Sequence, residues 1–389
     1  MSTESIAHQG DVVTPFAIHI EDAVIADLHR RLDHTRWPER ETVDDWSQGT
    51  PLAYVQDVCR YWREQYDWRE RERRLNRFPQ FLTTLDGLPI HFIHQRSPHP
   101  QALPLLITHG WPGSVVEFHK VIGPLVDPVA HGGRAEDAFH VVCPTLPGYG
   151  FSGKPTETGW GVARIAAVWD RLMLRLGYER YVAQGGDWGA AITAMIGQQN
   201  RGHCAAIHVN MPIVEPDPAT MNDLTPLEQG ALEAFRFYTE QDSGYSKQQS
   251  TRPQTLGYGL TDSPAGQAAW ILEKFRAWTD CDGHPENVLT RDEMLDDIML
   301  YWCTASAASS ARLYWESFNA LGRFEIDLPA GISIFPKEIF RASRRWAERH
   351  YRRLIHWNEL DRGGHFAALE VPQVFVDEVR ACFRPLRQG

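Results

Sequence analysis

Two textures alternate along the chain, and they divide it before any single residue's chemistry is considered. Residues 11 to about 78 carry helical spacing. In Ile20–Leu32 the apolar residues Ile20, Val24, Leu28 and Leu32 stack on one face, and Leu52–Tyr66 repeats the pattern, with Pro38 and Pro51 as breaks. From about residue 79 the apolar residues gather into short runs bounded by turns. Phe81–Thr84 and Ile90–His94 flank Asp86-Gly87, the pattern of a hairpin. Pro104–Thr108, His140–Pro144, Tyr181–Gln184 and Ala205–Asn210 then read as strands buried on both faces, alternating with helix-like segments such as Val162–Leu176. Between about 213 and 320 the strands stop and helical spacing with Pro and Gly breaks takes over. Strand character returns at Ile332–Phe335, and a last helix starts near Val371. This order predicts one large α/β domain, a mostly parallel sheet with helices on both faces, carrying a helical insertion. The expected segments are 1–78, 79–212, 213–320 and 321–389, and no internal repeat is visible.

Composition narrows the functional classes. The chain has 389 residues, 43% hydrophobic and 23% charged, so it can bury a large core. Its formal net charge is −11 without any long Lys/Arg run, which argues against a nucleic-acid or anionic-membrane partner. No stretch approaches the roughly 20 apolar residues of a membrane span, and Met1 to Gly10 lacks the pattern of a signal peptide. The six cysteines are scattered, without C-x-x-C, and the histidines of His131–His140 have no ligand spacing. We therefore expect reduced thiols, a cytoplasmic location, no metal and no cofactor. Oligomeric state is left open, a homodimer included.

The first chemistry lies after the strand Tyr181–Gln184. Gly185-Gly186-Asp187-Trp188-Gly189 precedes the helix-like Ala190–Gln198, a strand–turn–helix setting in which small residues make room for a strained nucleophile. Here the nucleophile position holds Asp where Ser is usual. A serine attacking saturated carbon makes an ether that water cannot readily cleave. A carboxylate makes an ester, which an activated water hydrolyses at its carbonyl. Asp187 therefore points to an electrophilic sp³ carbon, in an epoxide or an alkyl halide.

Two further segments complete the set. His109-Gly110-Trp111-Pro112-Gly113 follows the strand Pro104–Thr108, where a backbone N–H can meet a developing oxyanion; the donors are expected to be Trp111 N–H and Trp188 N–H. Ser114-x-x-Glu117 then predicts a capping box opening a helix. Gly363-Gly364-His365-Phe366 supplies a histidine after the last strand, and the order nucleophile, acid, histidine is that of α/β-hydrolases. The acid belongs at the end of the strand before the histidine loop, which selects Glu338 after Ile332–Phe335; Glu359 and Asp361 lie inside the histidine's own loop. Glu338 would hold the imidazole and stabilise its charged form. An epoxide also needs an acid for its oxygen, and the insertion offers Tyr238, Tyr245, Tyr258, Tyr301 and Tyr314, among which chemistry alone does not choose.

The chain resembles the microsomal-type epoxide hydrolases of the α/β-hydrolase superfamily across roughly residues 14–372. The resemblance rests on Tyr66-Asp-Trp-Arg69 with Leu75-Asn76, His109-Gly-Trp-Pro-Gly-Ser114, Leu146-Pro-Gly-Tyr-Gly-Phe-Ser152, Gly185-Gly-Asp-Trp-Gly189, Leu260-Thr-Asp-Ser-Pro264, Phe335-Pro-Lys-Glu338 and Gly363-Gly-His-Phe-Ala-Ala-Leu-Glu370. It implies an α/β-hydrolase fold with a helical lid, and an N-terminal meander over residues 1–78 that wraps the core and touches the lid. It implies Asp187 as nucleophile, Glu338 and His365 as the charge pair, and Tyr314 and Tyr245 as the acids; the expected partner is a small-molecule epoxide of hydrophobic character. The N-terminal membrane anchor of the animal members has no counterpart here.

Other readings weigh less. Gly148-Tyr-Gly150-Phe-Ser-Gly153 fits a dinucleotide fingerprint, but Lys154-Pro155 interrupts the helix such a fold needs, leaving a loop on the rim of the site. A haloalkane dehalogenase shares the elbow Asp but has no use for paired tyrosines. A non-catalytic binding protein on the same fold would be expected to have a broken triad.

Overall fold

The computed structural model describes residues 12–318 and 324–387. It opens with strand β1 (Thr14–Phe16) and helices α1 (Asp22–Asp33), α2 (Leu52–Glu64) and α3 (Trp68–Leu75). The hairpin β2 (Gln80–Leu85) and β3 (Leu88–Gln95) turns at Asp86-Gly87 as the sequence predicts, followed by β4 (Leu103–Thr108), α4 (Ile122–Val126) and β5 (Phe139–Pro144). Next come α5 (Val162–Arg175), β6 (Tyr181–Gly185), α6 (Asp187–Gln199) and β7 (Cys204–Val209).

Six helices then run without a strand: α7 (Pro226–Phe237), α8 (Gly244–Thr251), α9 (Pro253–Asp262), α10 (Pro264–Trp278), α11 (Arg291–Cys303) and α12 (Ala307–Ser317). The core resumes with β8 (Ile326–Ile334), α13 (Arg344–Ala347), β9 (Tyr351–Glu359), α14 (Ala367–Glu370) and α15 (Pro372–Phe383). The expected boundary between residues 320 and 321 lies outside the described residues.

The nine strands of the described residues form one sheet in the order β1-β2-β3-β5-β4-β6-β7-β8-β9. β4 to β9 pair in parallel, while β1, β2 and β3 add an antiparallel edge. The central strands are apolar because helices cover both faces. On β7, Ile207 meets Gly197 of α6, whereas the next residue, His208, meets Phe383 of α15. Successive strand residues point to opposite faces, so α6 and α15 flank the sheet. Leu105, Leu106, Ile107, Val141, Val142, Val182, Ala183 and Ile207 are completely buried between them.

One strand was not foreseen. The sequence places strands only from about residue 79, but Thr14-Pro15-Phe16 pairs antiparallel with β2. Three residues are too few to show a period of two, and Pro15 speaks against a strand anywhere but at an edge, which is where β1 lies.

The N-terminal segment also grips the helical insertion. Arg31 bonds Asp262, Thr50 donates to the Ala269 carbonyl, Arg291 pairs with Asp57, and Arg71 holds Asp296. Among the described residues, no helix is long and apolar enough to cross a membrane.

Candidate active site

Asp187 stands where β6 becomes α6, with φ at +50°, a left-handed conformation that a non-glycine residue adopts only under constraint. The constraint is close packing. A Cβ on Gly189 would lie 1.9 Å from the Thr108 carbonyl oxygen, and one on Gly110 would lie 2.1 Å from Asp187 Oδ1. Glycine at both places lets the elbow and the loop after β4 close on each other. The Trp111 N–H thereby donates to Asp187 Oδ1 at 2.7 Å. The other expected donor, the Trp188 N–H, makes no such bond to the carboxylate among the described residues.

His109 anchors the inner end of this loop. Its Nδ1 lies 3.0 Å from the Gly110 carbonyl oxygen, and its Nε2 accepts the Leu146 N–H at 3.2 Å. Burial pushes the ring down to about 4, so it serves as a neutral strut.

The expected capping box does not form. Ser114 caps only a 3₁₀ turn, Val115–Phe118, accepting from the Val116 N–H at 3.2 Å. Its hydroxyl donates to Asp297 at 2.6 Å, and the Glu117 carboxyl turns back to fill the space beside Gly113. Tertiary partners have displaced the local motif.

His365 faces the other oxygen of Asp187, its Nε2 3.5 Å from Oδ2, while its Nδ1 lies 2.7 Å from Glu338 Oε1. Glu338 is 2% exposed and also accepts the Ile339 N–H at 2.7 Å. Glu359 and Asp361 are exposed, and Glu359 accepts instead from the Trp357 indole. Burial works against a charge on His365, but the carboxylates of Glu338 and Asp187 outweigh it and raise the ring well above its usual range.

The histidine loop is tied to the insertion at the C-terminal end of α10. The His365 N–H donates to the Trp278 carbonyl at 2.8 Å, and Gly363 N–H to Asp280 Oδ2 at 3.0 Å. Glu370 accepts from both Phe366 N–H and Asp280 N–H. Trp278, whose ring centre lies 5.0 Å from that of His365, escaped the sequence reading because an isolated tryptophan carries no pattern.

The insertion roofs a cavity of about 400 Å³ whose walls include Asp187, Trp188, Met211, Tyr245, Tyr314 and Phe340. Of the five tyrosines, Tyr258 is 72% exposed, and Tyr301 spends its hydroxyl on the Gly113 carbonyl. Tyr245 and Tyr314 reach the cavity, their ring centres 5.8 Å apart. The Tyr245 ring stacks on Trp111 at 4.9 Å, and the Tyr314 ring stands edge-on to Trp188 at 4.8 Å. Burial, assisted by the negative charge of Asp187, raises both phenols well above their usual range and keeps them protonated. Tyr238 also lines the cavity and lies within hydrogen-bonding distance of the Tyr245 hydroxyl at 3.2 Å; it comes in on a π-helical turn, Tyr238–Asp242, between α7 and α8.

The glycine run at Gly148–Gly153 is a closed turn. Gly148 N–H donates to the Gly153 carbonyl at 2.9 Å, Ser309 of α12 donates to the Gly148 carbonyl, and the next helix begins only at Val162.

An elbow carboxylate, a strand-end loop aiming one N–H at it, and a histidine supported by an acid from the preceding strand are arranged as in an enzyme site of the α/β-hydrolase fold. The chain matches the family model for that fold over residues 104–255, and the model for the epoxide hydrolase N terminus over residues 13–118. A Stigmatella aurantiaca homologue in the same family is 58% identical over 96% of this chain and 86% of its own. Epoxide hydrolase 1 of Sus scrofa is 36% identical, covering 98% of this chain and 91% of its own. Among solved structures, the Aspergillus niger epoxide hydrolase superposes with a TM-score of 0.88 at 31% identity, covering 96% of both chains. The juvenile hormone epoxide hydrolase of Bombyx mori superposes with a TM-score of 0.86 at 30% identity, covering 97% of this chain and 95% of that one. The chain belongs to the epoxide hydrolase family. It is a hydrolase acting on epoxides, which retires the dehalogenase and binding-protein readings.

Proposed function

We propose that the chain hydrolyses a hydrophobic epoxide to its vicinal diol in two steps carried by its own side chains. Asp187 attacks a ring carbon; the carbon–oxygen bond breaks toward the oxygen, which takes a proton from Tyr314 or Tyr245. This leaves a hydroxyalkyl ester on Asp187 and a tyrosinate. The ester has no negative charge, so His365 loses one of the two carboxylates that favour its protonated form, releases its proton to solvent and becomes a base. It removes a proton from water, the hydroxide adds to the ester carbonyl, and the oxyanion gathers on Oδ1 at the Trp111 N–H, with the Trp188 N–H as the second donor this reading calls for in the transition state. As the intermediate collapses, His365 returns its proton to the departing alkoxide. The proton left on Asp187 restores the phenol.

The observation that carries this reading is the placing of one carboxylate. Asp187 has a backbone N–H on one oxygen, His365 on the other, and two protonated tyrosines across an apolar cavity. In this reading the helical insertion roofs the ester against bulk water, and the described part of the N-terminal segment, from residue 12, braces that insertion. Six free cysteines, five of them buried, accord with a cytoplasmic location.

Isotope labelling tests the covalent step. In a single turnover with excess enzyme in ¹⁸O-water, water attacks the ester carbonyl, so the label should enter Asp187 and the first diol should be unlabelled. A labelled diol, with none of the label in Asp187, would mean that water attacks the epoxide directly.

A further inference from the structure

The outer end of the oxyanion loop is tied to a single lid helix. The Tyr301 hydroxyl donates to the Gly113 carbonyl at 2.7 Å, and the Ser114 hydroxyl donates to Asp297 Oδ1 at 2.6 Å. Asp297 and Tyr301 lie one turn apart on α11 and therefore on one face. Both are buried, with 1% and 3% exposure. Neither lines the cavity.

The same helix is also held by the N-terminal segment, on an adjoining face. Arg71 donates twice to the Asp296 carboxylate, Tyr66 donates to it at 2.8 Å, and Tyr61 donates to Asp292 at 2.8 Å. α11 thus joins the polar contacts that Arg71 of α3 makes with Asp296 to those that Asp297 and Tyr301 make with the residue pair Gly113-Ser114.

We propose that Asp297 and Tyr301 are positioning residues that set where the Trp111 N–H stands relative to Asp187, and that Arg71 holds them in place through α11. The proposal rests on the reading of Asp187 as nucleophile and Trp111 as oxyanion donor. His109 fixes the loop only at its inner end. With the outer end free, Trp111, two residues from Gly113, can drift by the few tenths of an ångström that separate a short hydrogen bond from a long one. Asp297 is built to act as a neutral group. Its second oxygen has no hydrogen-bond partner among the described residues, and burial raises the carboxyl to about 8. An asparagine has the same shape and can accept the same Ser114 bond.

Rapid-quench single turnovers resolve ester formation from ester hydrolysis. Tyr301→Phe and Asp297→Leu should each slow hydrolysis about ten- to a hundredfold while leaving the substrate dissociation constant unchanged. Asp297→Asn should restore most of the wild-type rate, which a general loss of packing would not predict. Ser114→Ala combined with Asp297→Leu should cost no more than either alone, because one contact is removed twice. Arg71→Met, provided it folds, should slow the same step.

Wild-type hydrolysis in both Tyr301→Phe and Asp297→Leu, or an Asp297→Asn enzyme as slow as Asp297→Leu, would overturn the proposal. So would a change confined to substrate affinity. In these cases a normal ester on wild-type Asp187 shows that the underlying mechanism still stands. Absence of any ester on the wild type overturns both.

Discussion

Replacing Glu338 by Gln removes one negative charge and little else, so it isolates what that carboxylate does for His365. In the structure the charge lies against the ring, with Oε1 2.7 Å from Nδ1, and Glu338 is 2% exposed, so water screens it little. With charge centres about 4 Å apart and an effective dielectric of about 20, the attraction to the imidazolium is about 4 kcal/mol. At about 1.4 kcal/mol per power of ten, Glu338→Gln should slow the step that forms the imidazolium about a thousandfold. That step is ester hydrolysis. Ester formation needs no base and should change by less than about tenfold. Mixing the variant with a chromogenic epoxide should therefore give a burst followed by a near stop, with the protein heavier by one substrate in its intact mass.

The pH profile gives an independent check on sign. Glu338 raises His365 by stabilising its charged form, so losing it lowers the ring's pKa. The base works above its pKa, and the acidic limb of the hydrolysis rate should move to lower pH. Wild-type hydrolysis, equal losses in both steps, or a limb moving upward would each refute this role for Glu338.

Other outcomes follow from the same geometry. Tyr314→Phe and Tyr245→Phe should each slow ester formation while sparing hydrolysis, and the double variant should nearly abolish turnover; wild-type burst rates in the double variant would remove both tyrosines from the mechanism. Gly110→Ala should leave the chain folded but suppress the burst, because the new methyl falls 2.1 Å from Asp187 Oδ1; an intact burst would mean that the loop yields easily. Burial holds His91 at about 3, and His94 and His109 at about 4, so in the folded state they stay neutral where the unfolded chain takes up protons. Stability should therefore be full above about pH 6.5 and fall as the pH drops toward 4, by up to about 1.4 kcal/mol per pH unit for each histidine. Urea unfolding at pH 7 and pH 5 measures that loss, and equal midpoints would contradict it.

Features whose constraints are local are legible in the residues themselves. The Asp86-Gly87 hairpin, the buried strands and the elbow at Asp187 could be read because each depends on a few adjacent residues whose backbone has nowhere else to go. Chain order then pointed to a meeting of Glu338 and His365, because a parallel sheet brings the ends of β8 and β9 to the same edge as β6. Tertiary structure decided the rest. Tyr238, Tyr245, Tyr258, Tyr301 and Tyr314 are chemically alike in sequence, and only the packing of the lid turns Tyr258 to solvent, spends Tyr301 on Gly113 and leaves Tyr238, Tyr245 and Tyr314 on the cavity wall with Asp187. Ser114 and Glu117 have the spacing of a cap, yet Ser114 bonds a residue 183 positions away. β1 forms from three residues without any period because β2 offers it an open edge. The common reason is that a polar side chain's partner is chosen by where the folded chain places it. Local spacing prevails only where no stronger partner arrives from elsewhere in the fold.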